Sequence, residues 1–142
     1  PGVAELVRPG YLASVLPRGD FVIVTVPETP ETQGMFASAQ FKAMKNTAFF
    51  INIGRGATVK LDDLVDALRA REIAGAGLDV FQTEPLPASH PLWSTPGVLI
   101  TPHVAGDGPY LQERRTDLFI DNCVRFNEGR PLRNLVDKAN WF

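Results

Sequence analysis

Three side chains in this sequence are of types that could share one reaction: Arg55 in "INIGRGATV", Glu84 in "QTEPLP" and His103 in "TPHVAG". A guanidinium is a planar fork that can hold a carboxylate by two parallel hydrogen bonds. An imidazole can give a proton to a carbonyl oxygen, or take one from a hydroxyl, near neutral pH. A carboxylate beside that imidazole orients it. Gly54 and Gly56 flank Arg55, where the lack of a Cβ lets the backbone approach a ligand. Asp79 closes the otherwise apolar "AGAGLDV", and a buried carboxylate needs donors, from backbone amides or from a bound ligand. Each residue alone has a plainer reading: a solvated loop arginine, a loop carboxylate before Pro85, a histidine with some other task. His90 and Trp93 of "HPLW" read as structural, the first a loop hydrogen-bonder and the second a packing anchor.

The elements that must position these residues can be read from hydrophobic periodicity. "FVIVTV" (residues 21 to 26) is β-branched and continuous rather than alternating, which suits a parallel strand covered on both faces. "TAFFINI" (residues 47 to 53) is a second such run, "AGAGLDVF" a third and "VLIT" (residues 98 to 101) a fourth. Between the first two lies "SAQFKAMK", with Ser38 as the expected N-cap and Phe41 and Met44 on one helical face. Between the second and third, "LDDLVDALRAREI" carries Leu61, Leu64, Val65, Leu68 and Ile73 at helical spacing. This β-α-β-α-β order predicts a parallel α/β sheet. In such sheets ligands bind beyond the carboxyl ends of the strands, and that is where Arg55, Asp79, Glu84 and His103 fall. "QTEPLPASHPLWSTPG" is a long Pro-rich loop of the kind that is more often functional than not. "PYLQERRTDLFIDNCVRFNEG" predicts one long helix with Gly129 at C′, followed by an irregular tail.

Bulk properties narrow the function classes. The chain has 142 residues, about one domain, and a net charge of −2 that favours neither nucleic acid nor an anionic membrane. No apolar run reaches the roughly 18 residues of a membrane span, and the start has no signal-peptide pattern. The single cysteine, Cys123, forms no internal disulfide, fits a reducing compartment and is expected to be a buried structural thiol; a cytoplasmic location follows. No metal-ligand spacing is evident.

"VPETPET", "INIGRG", "AGAGLDVFQTEPLP", "HPLW" and "TPHVAG" stand in the order and spacing of the NAD(P)-dependent D-isomer-specific 2-hydroxyacid dehydrogenases, and the chain resembles that family from about Asp20 to Lys138. The resemblance implies a Rossmann-like NAD(P)-binding domain over residues 1–108, in its C-terminal part. It also implies a C-terminal helix and tail over residues 109–142 that return towards a substrate domain. Arg55 would bind the substrate carboxylate and polarise the keto oxygen, with Glu84 and His103 paired as general acid/base. Asp79 would orient the nicotinamide, Pro27 and Thr32 would lie near the cofactor's phosphates and ribose, and Ile53, Gly54, Arg55, His103, Ala105 and Gly106 would complete the cofactor site. Glu84 argues against the formate dehydrogenase branch, where glutamine usually stands. The implied activity is hydride transfer between NAD or NADP and C2 of a small 2-keto or 2-hydroxy acid, as in glyoxylate/hydroxypyruvate reductases, by a homodimer. The alternative is an NAD-sensing, corepressor-like module of the same fold without turnover.

The sequence departs from the family in three respects, one being that "GDGPYLQERR" follows a less common branch of it. No G-x-G-x-x-G is present, and in the family that fingerprint lies upstream of the stretch matched here. The chain is therefore expected to be the C-terminal portion of a longer enzyme, inactive alone. Lys60 occupies a position usually held by an acidic or amide cap, so Asp62 or Asp63 is expected to begin the following helix.

Overall fold

The computed structural model describes residues 2–139. These divide into two compact units, one ending at His103 and the other beginning at Val104. In the first, three short helical turns, including α1 (Leu12–Val15), lead into β1 (Phe21–Val24). Then follow α2 (Ser38–Ala43), β2 (Phe49–Asn52), α3 (Leu61–Arg69), β3 (Gly75–Leu78) and β4 (Val98–Ile100). The strands form one parallel sheet in the order β1-β2-β3-β4, with Val24 opposite Asn52 and Asn52 opposite Leu78. The predicted alternation is therefore present, each strand one to four residues shorter than its apolar run.

One face of the sheet carries the core. Val24, Phe50, Ala76 and Leu78 pack with Phe41 of α2 and with Leu64, Val65 and Leu68 of α3. Phe50 is fully buried, edge-on to Phe41 with ring centroids 5.2 Å apart and 4.9 Å from the ring of Phe36. Burying such a side chain contributes roughly 1.5–3 kcal/mol. The opposite face departs from the expectation of cover on both sides. Phe21, Ile23, Phe49 and Leu99 are exposed there, and Phe21 stacks on Phe49 at 5.7 Å. The strands are apolar on both faces, but α2 and α3 share the same side.

The helix starts also differ from the sequence reading. Ser38 is the first residue of α2 rather than its cap; the Ala37 amide is met by Gln40 Oε1 at 3.2 Å, and the Ser38 amide by Asp63 Oδ2 at 2.9 Å. Thus Asp63 caps a neighbouring helix instead of starting its own. The α3 helix begins at Leu61 with Lys60 as N-cap and no side-chain cap, because Phe36 and Val59 form a parallel bridge and Lys60 N–H donates to Phe36 O. That bridge fixes the chain one residue ahead of the helix. Asp62 and Asp63 then fall in the first turn, where negative charge suits the helix dipole.

The second unit is built on α4 (Leu111–Asn127), ending with Gly129 at C′ with φ +67°. Asp121 accepts from Arg125 (2.9 Å) and Arg133 (3.1 Å), and Asn122 exchanges two bonds with the Arg133 backbone, so the segment after the helix folds back along it. Cys123 is exposed, contrary to the expectation of a buried thiol, as are Phe119 and Phe126. The helical spacing of these residues marks a face of α4, and the segment that follows the helix does not bury it. No helix among the described residues is long and apolar enough to cross a membrane. Nor does any cluster of potential metal ligands occur among them.

Candidate active site

The carboxyl edge of the sheet is one continuous ledge. Ile53 N–H donates to Val24 O, Asp79 N–H to Asn52 O, and Thr101 N–H to Leu78 O, so each strand's exit is tied to its neighbour. From this ledge Arg55, Glu84 and His103 reach one cleft of about 380 Å³, which Glu28, Gln33 and Gln82 also line. Three residues from separate stretches of sequence are thus brought together as expected.

The turn bearing Arg55 is held from below by a residue that motif reasoning passed over. Asn52, 1% exposed, donates through Nδ2 to Arg55 O (3.1 Å) and Thr58 Oγ1 (3.3 Å), and its Oδ1 accepts from Gly54 N–H (3.0 Å). Thr58, itself buried, donates to Arg55 O at 2.6 Å. A polar residue closing an apolar strand was the available signal. The flanking glycines have a different purpose from the one expected. A Cβ on Gly54 would meet Val26 O at 2.8 Å, and one on Gly56 would meet the Phe81 carbonyl carbon at 1.9 Å. They let strand exits pack against one another; the space they leave is filled by this chain's own backbone.

Glu84 and His103 form a direct pair, Nδ1 to Oε2 2.8 Å, both partly exposed. The other Glu84 oxygen accepts from Phe81 N–H at 2.8 Å. The His103 bond and, after it, the Phe81 amide hold the Glu84 carboxyl below its ordinary pKa. An ionised carboxylate can only accept, so His103 carries its proton on Nδ1 and leaves Nε2 as the atom able to exchange one. His103 sits at φ 56°, a left-handed conformation uncommon for a non-glycine residue and concentrated at functional sites. Asp79 is 3% exposed, and its Oδ1 accepts from the Thr101 hydroxyl at 2.5 Å, so one donor comes from the next strand's exit. A second, largely apolar cavity of about 410 Å³, walled by Leu86, Trp93 and Ile100, shares Glu84 and His103 with the cleft.

The remaining expected residues are placed as follows. Pro27 and Thr32 belong to one turn after β1, closed by Thr32 Oγ1 donating to Pro27 O and accepting from Thr29 N–H, each at 2.8 Å. Ile53 is exposed at the ledge, and Ala105 and Gly106 lie in the second unit. His90 accepts from Leu92 N–H at the start of a turn over Pro91–Ser94, the loop role expected of it. Trp93 is 55% exposed and anchored through its N–H to Pro87 O, less a packing anchor than a flap on the loop. A nicotinamide cofactor suits the ledge on chemical grounds: its strand exits carry an exposed apolar side chain, Ile53, and a buried carboxylate, Asp79, groups fit for a flat ring bearing an amide.

Comparison with known proteins agrees with this arrangement. The chain is 40% identical over 126 residues to glyoxylate/hydroxypyruvate reductase B of Citrobacter koseri, covering 89% of this chain and 39% of that protein. It is 38% identical over 141 residues to glyoxylate/hydroxypyruvate reductase A of Yersinia enterocolitica, covering 99% of this chain and 44% of that one. A D-isomer specific 2-hydroxyacid dehydrogenase from Xanthobacter autotrophicus, solved with NADPH and MES, superposes with a TM-score of 0.85 at 36% identity, covering 94% of this chain and 54% of the other. The chain spans about two fifths of the length of the first curated relatives it matches. Residues 4–105 match the family described as D-isomer specific 2-hydroxyacid dehydrogenase, NAD binding domain. With that match over most of its length, and with the ledge and cleft in the matched region, the chain belongs to the family of D-isomer specific 2-hydroxyacid dehydrogenase NAD-binding domains.

Proposed function

We propose that this chain carries the proton-transfer and carboxylate-binding residues of an NAD(P)-dependent reductase of small 2-keto acids, of the glyoxylate/hydroxypyruvate type. The observation that carries the reading is the convergence of Arg55 and the Glu84–His103 pair on one cleft at the carboxyl edge of a parallel sheet. Arg55 holds the substrate carboxylate and polarises the 2-keto oxygen. Protonated His103 gives the Nε2 proton to that oxygen as it gains charge, and takes it back in the reverse direction. Glu84, ionised, accepts from His103 Nδ1–H and so fixes the ring. When bound, NADH or NADPH supplies the hydride to C2, and Asp79, Ile53, Gly54, Pro27, Thr32, Ala105 and Gly106 are the residues of this chain assigned to hold it. Residues 1–108 act as cofactor domain and 109–142 as the segment towards a substrate domain. The reading includes a homodimer, which rests on the resemblance, and a cytoplasmic setting, which the lone cysteine supports.

The test follows oxidation of NADH and NADPH by a protein carrying this chain, with glyoxylate, hydroxypyruvate and pyruvate. His103→Ala is expected to lower kcat by about 10²–10⁴-fold. Arg55→Ala is expected to raise KM as well as lower kcat/KM, since it removes a contact made in both ground and transition states. Turnover unchanged in His103→Ala overturns the assignment of the proton donor, and no turnover with any 2-keto acid overturns the activity.

A further inference from the structure

We infer that Glu28 is a charge filter in the cleft: it admits 2-keto and 2-hydroxy acids whose far end is uncharged and turns away those with a second carboxylate. The inference rests on the proposed reading of the cleft as a 2-keto acid site and names the substrate class within it.

Glu28 follows Pro27 in the turn after β1, and the two Thr32 hydroxyl bonds that close this turn hold it in place. Glu28 and Gln33 from this turn line the same cleft as Arg55, Glu84 and His103. The fixed charges on this lining are therefore one permanent cation and two carboxylates. Glu84 is engaged by His103 and by the Phe81 amide. Glu28 makes no hydrogen bond or ion pair among the described residues, so no bonded partner among them offsets its charge. Once the first carboxylate of a ligand has neutralised Arg55, a second one finds Glu28 with no permanent cation left on the lining. A hydroxyl at the same place can instead donate to the Glu28 carboxylate or to Gln33. Two like charges roughly 5 Å apart in a solvent-open cleft repel enough to cost about tenfold in affinity.

Glycerate and tartronate make a matched pair of probes: both are 2-hydroxy acids of three carbons, one ending in a hydroxymethyl group and the other in a carboxylate. Neither reacts without an oxidised cofactor, so binding is read directly, from backbone amide shifts of Gly54 and Gly56 during titration of the chain. The chain is expected to prefer glycerate over tartronate by about tenfold or more at low salt. Glu28→Gln should bring the two within about threefold, Glu28→Lys should reverse the order, and added salt should shrink the wild-type preference. Arg55→Ala should weaken both ligands alike. A preference that is the same in wild type, Glu28→Gln and Glu28→Lys overturns the filter while leaving the cleft as a 2-hydroxy acid site. Absence of any shift at Gly54 and Gly56 with either ligand overturns that reading of the cleft and the filter with it.

Discussion

Glu84 serves two neighbours at once, and its behaviour with pH follows from them. Its carboxyl is held below the ordinary value first by the bond to His103 and then by the Phe81 amide. A folded-state pKa below the unfolded one stabilises the fold at all pH values above the unfolded pKa, and that contribution is lost as pH falls through the folded value. Acidification below the ordinary carboxylate range should therefore release Phe81 N–H and the His103 ring together. The expected result is a carboxyl titration for Glu84 shifted to lower pH than those of free carboxylates, seen by carbon NMR. In His103→Ala the shift should shrink, since its largest cause is gone. An unshifted Glu84 in the wild-type chain would show that the pair is not formed in solution. Motif reasoning picked out both residues of this pair and missed Asn52, because the use of Asn52 lies entirely in bonds to the backbone of the turn it begins.

Elements meet most closely where the exits of β2 and β3 cross. Gly56 lies against the Phe81–Gln82 peptide, so near that any Cβ would overlap it. The segment from Phe81 to Glu84 is positioned by this contact and by the bond from Phe81 N–H to Glu84 Oε1. Gly56→Ala should therefore cost about 2–3 kcal/mol or more, because the atoms a Cβ would meet are backbone and cannot rotate away. Chemical denaturation measures the loss, and the His103 ring signals should shift as Glu84 moves with its loop. A denaturation midpoint equal to that of the wild type would contradict the contact. In the sequence this glycine read as room for a ligand; the structure uses it as room for a neighbouring strand exit, and strand-to-strand distance is not a property of any single run of residues.

At the scale of the whole chain, the sheet presents apolar side chains on both faces and receives its helices on one. Phe21, Ile23, Phe49 and Leu99 remain exposed on the other face. Exposed apolar patches of this kind favour association. Sedimentation of the chain should show concentration-dependent self-association, reduced in an Ile23→Lys, Leu99→Lys variant whose circular dichroism is unchanged. Monomeric behaviour of the wild-type chain at high concentration would contradict this expectation.

Strand existence and parallel direction were legible in the sequence because continuous β-branched and aromatic runs separated by short amphipathic stretches satisfy few arrangements other than a parallel sheet. The convergence of Arg55, Glu84 and His103 at the strand exits was legible because each follows closely on an apolar run that the sequence marks as a strand. Which residue caps which helix was not: Ser38 and Asp63 exchanged expected parts because the partner of Ser38 N–H lies 25 positions away. Nor was the burial of a face: Cys123 and Phe50 each fall on an apolar face by periodicity, yet Phe50 is buried and Cys123 exposed, and only packing distinguishes them. Periodicity determines which residues can share a face, a local property of the backbone; what covers that face, and which side chain meets Arg55 across a cleft, is decided by segments that come together only in three dimensions.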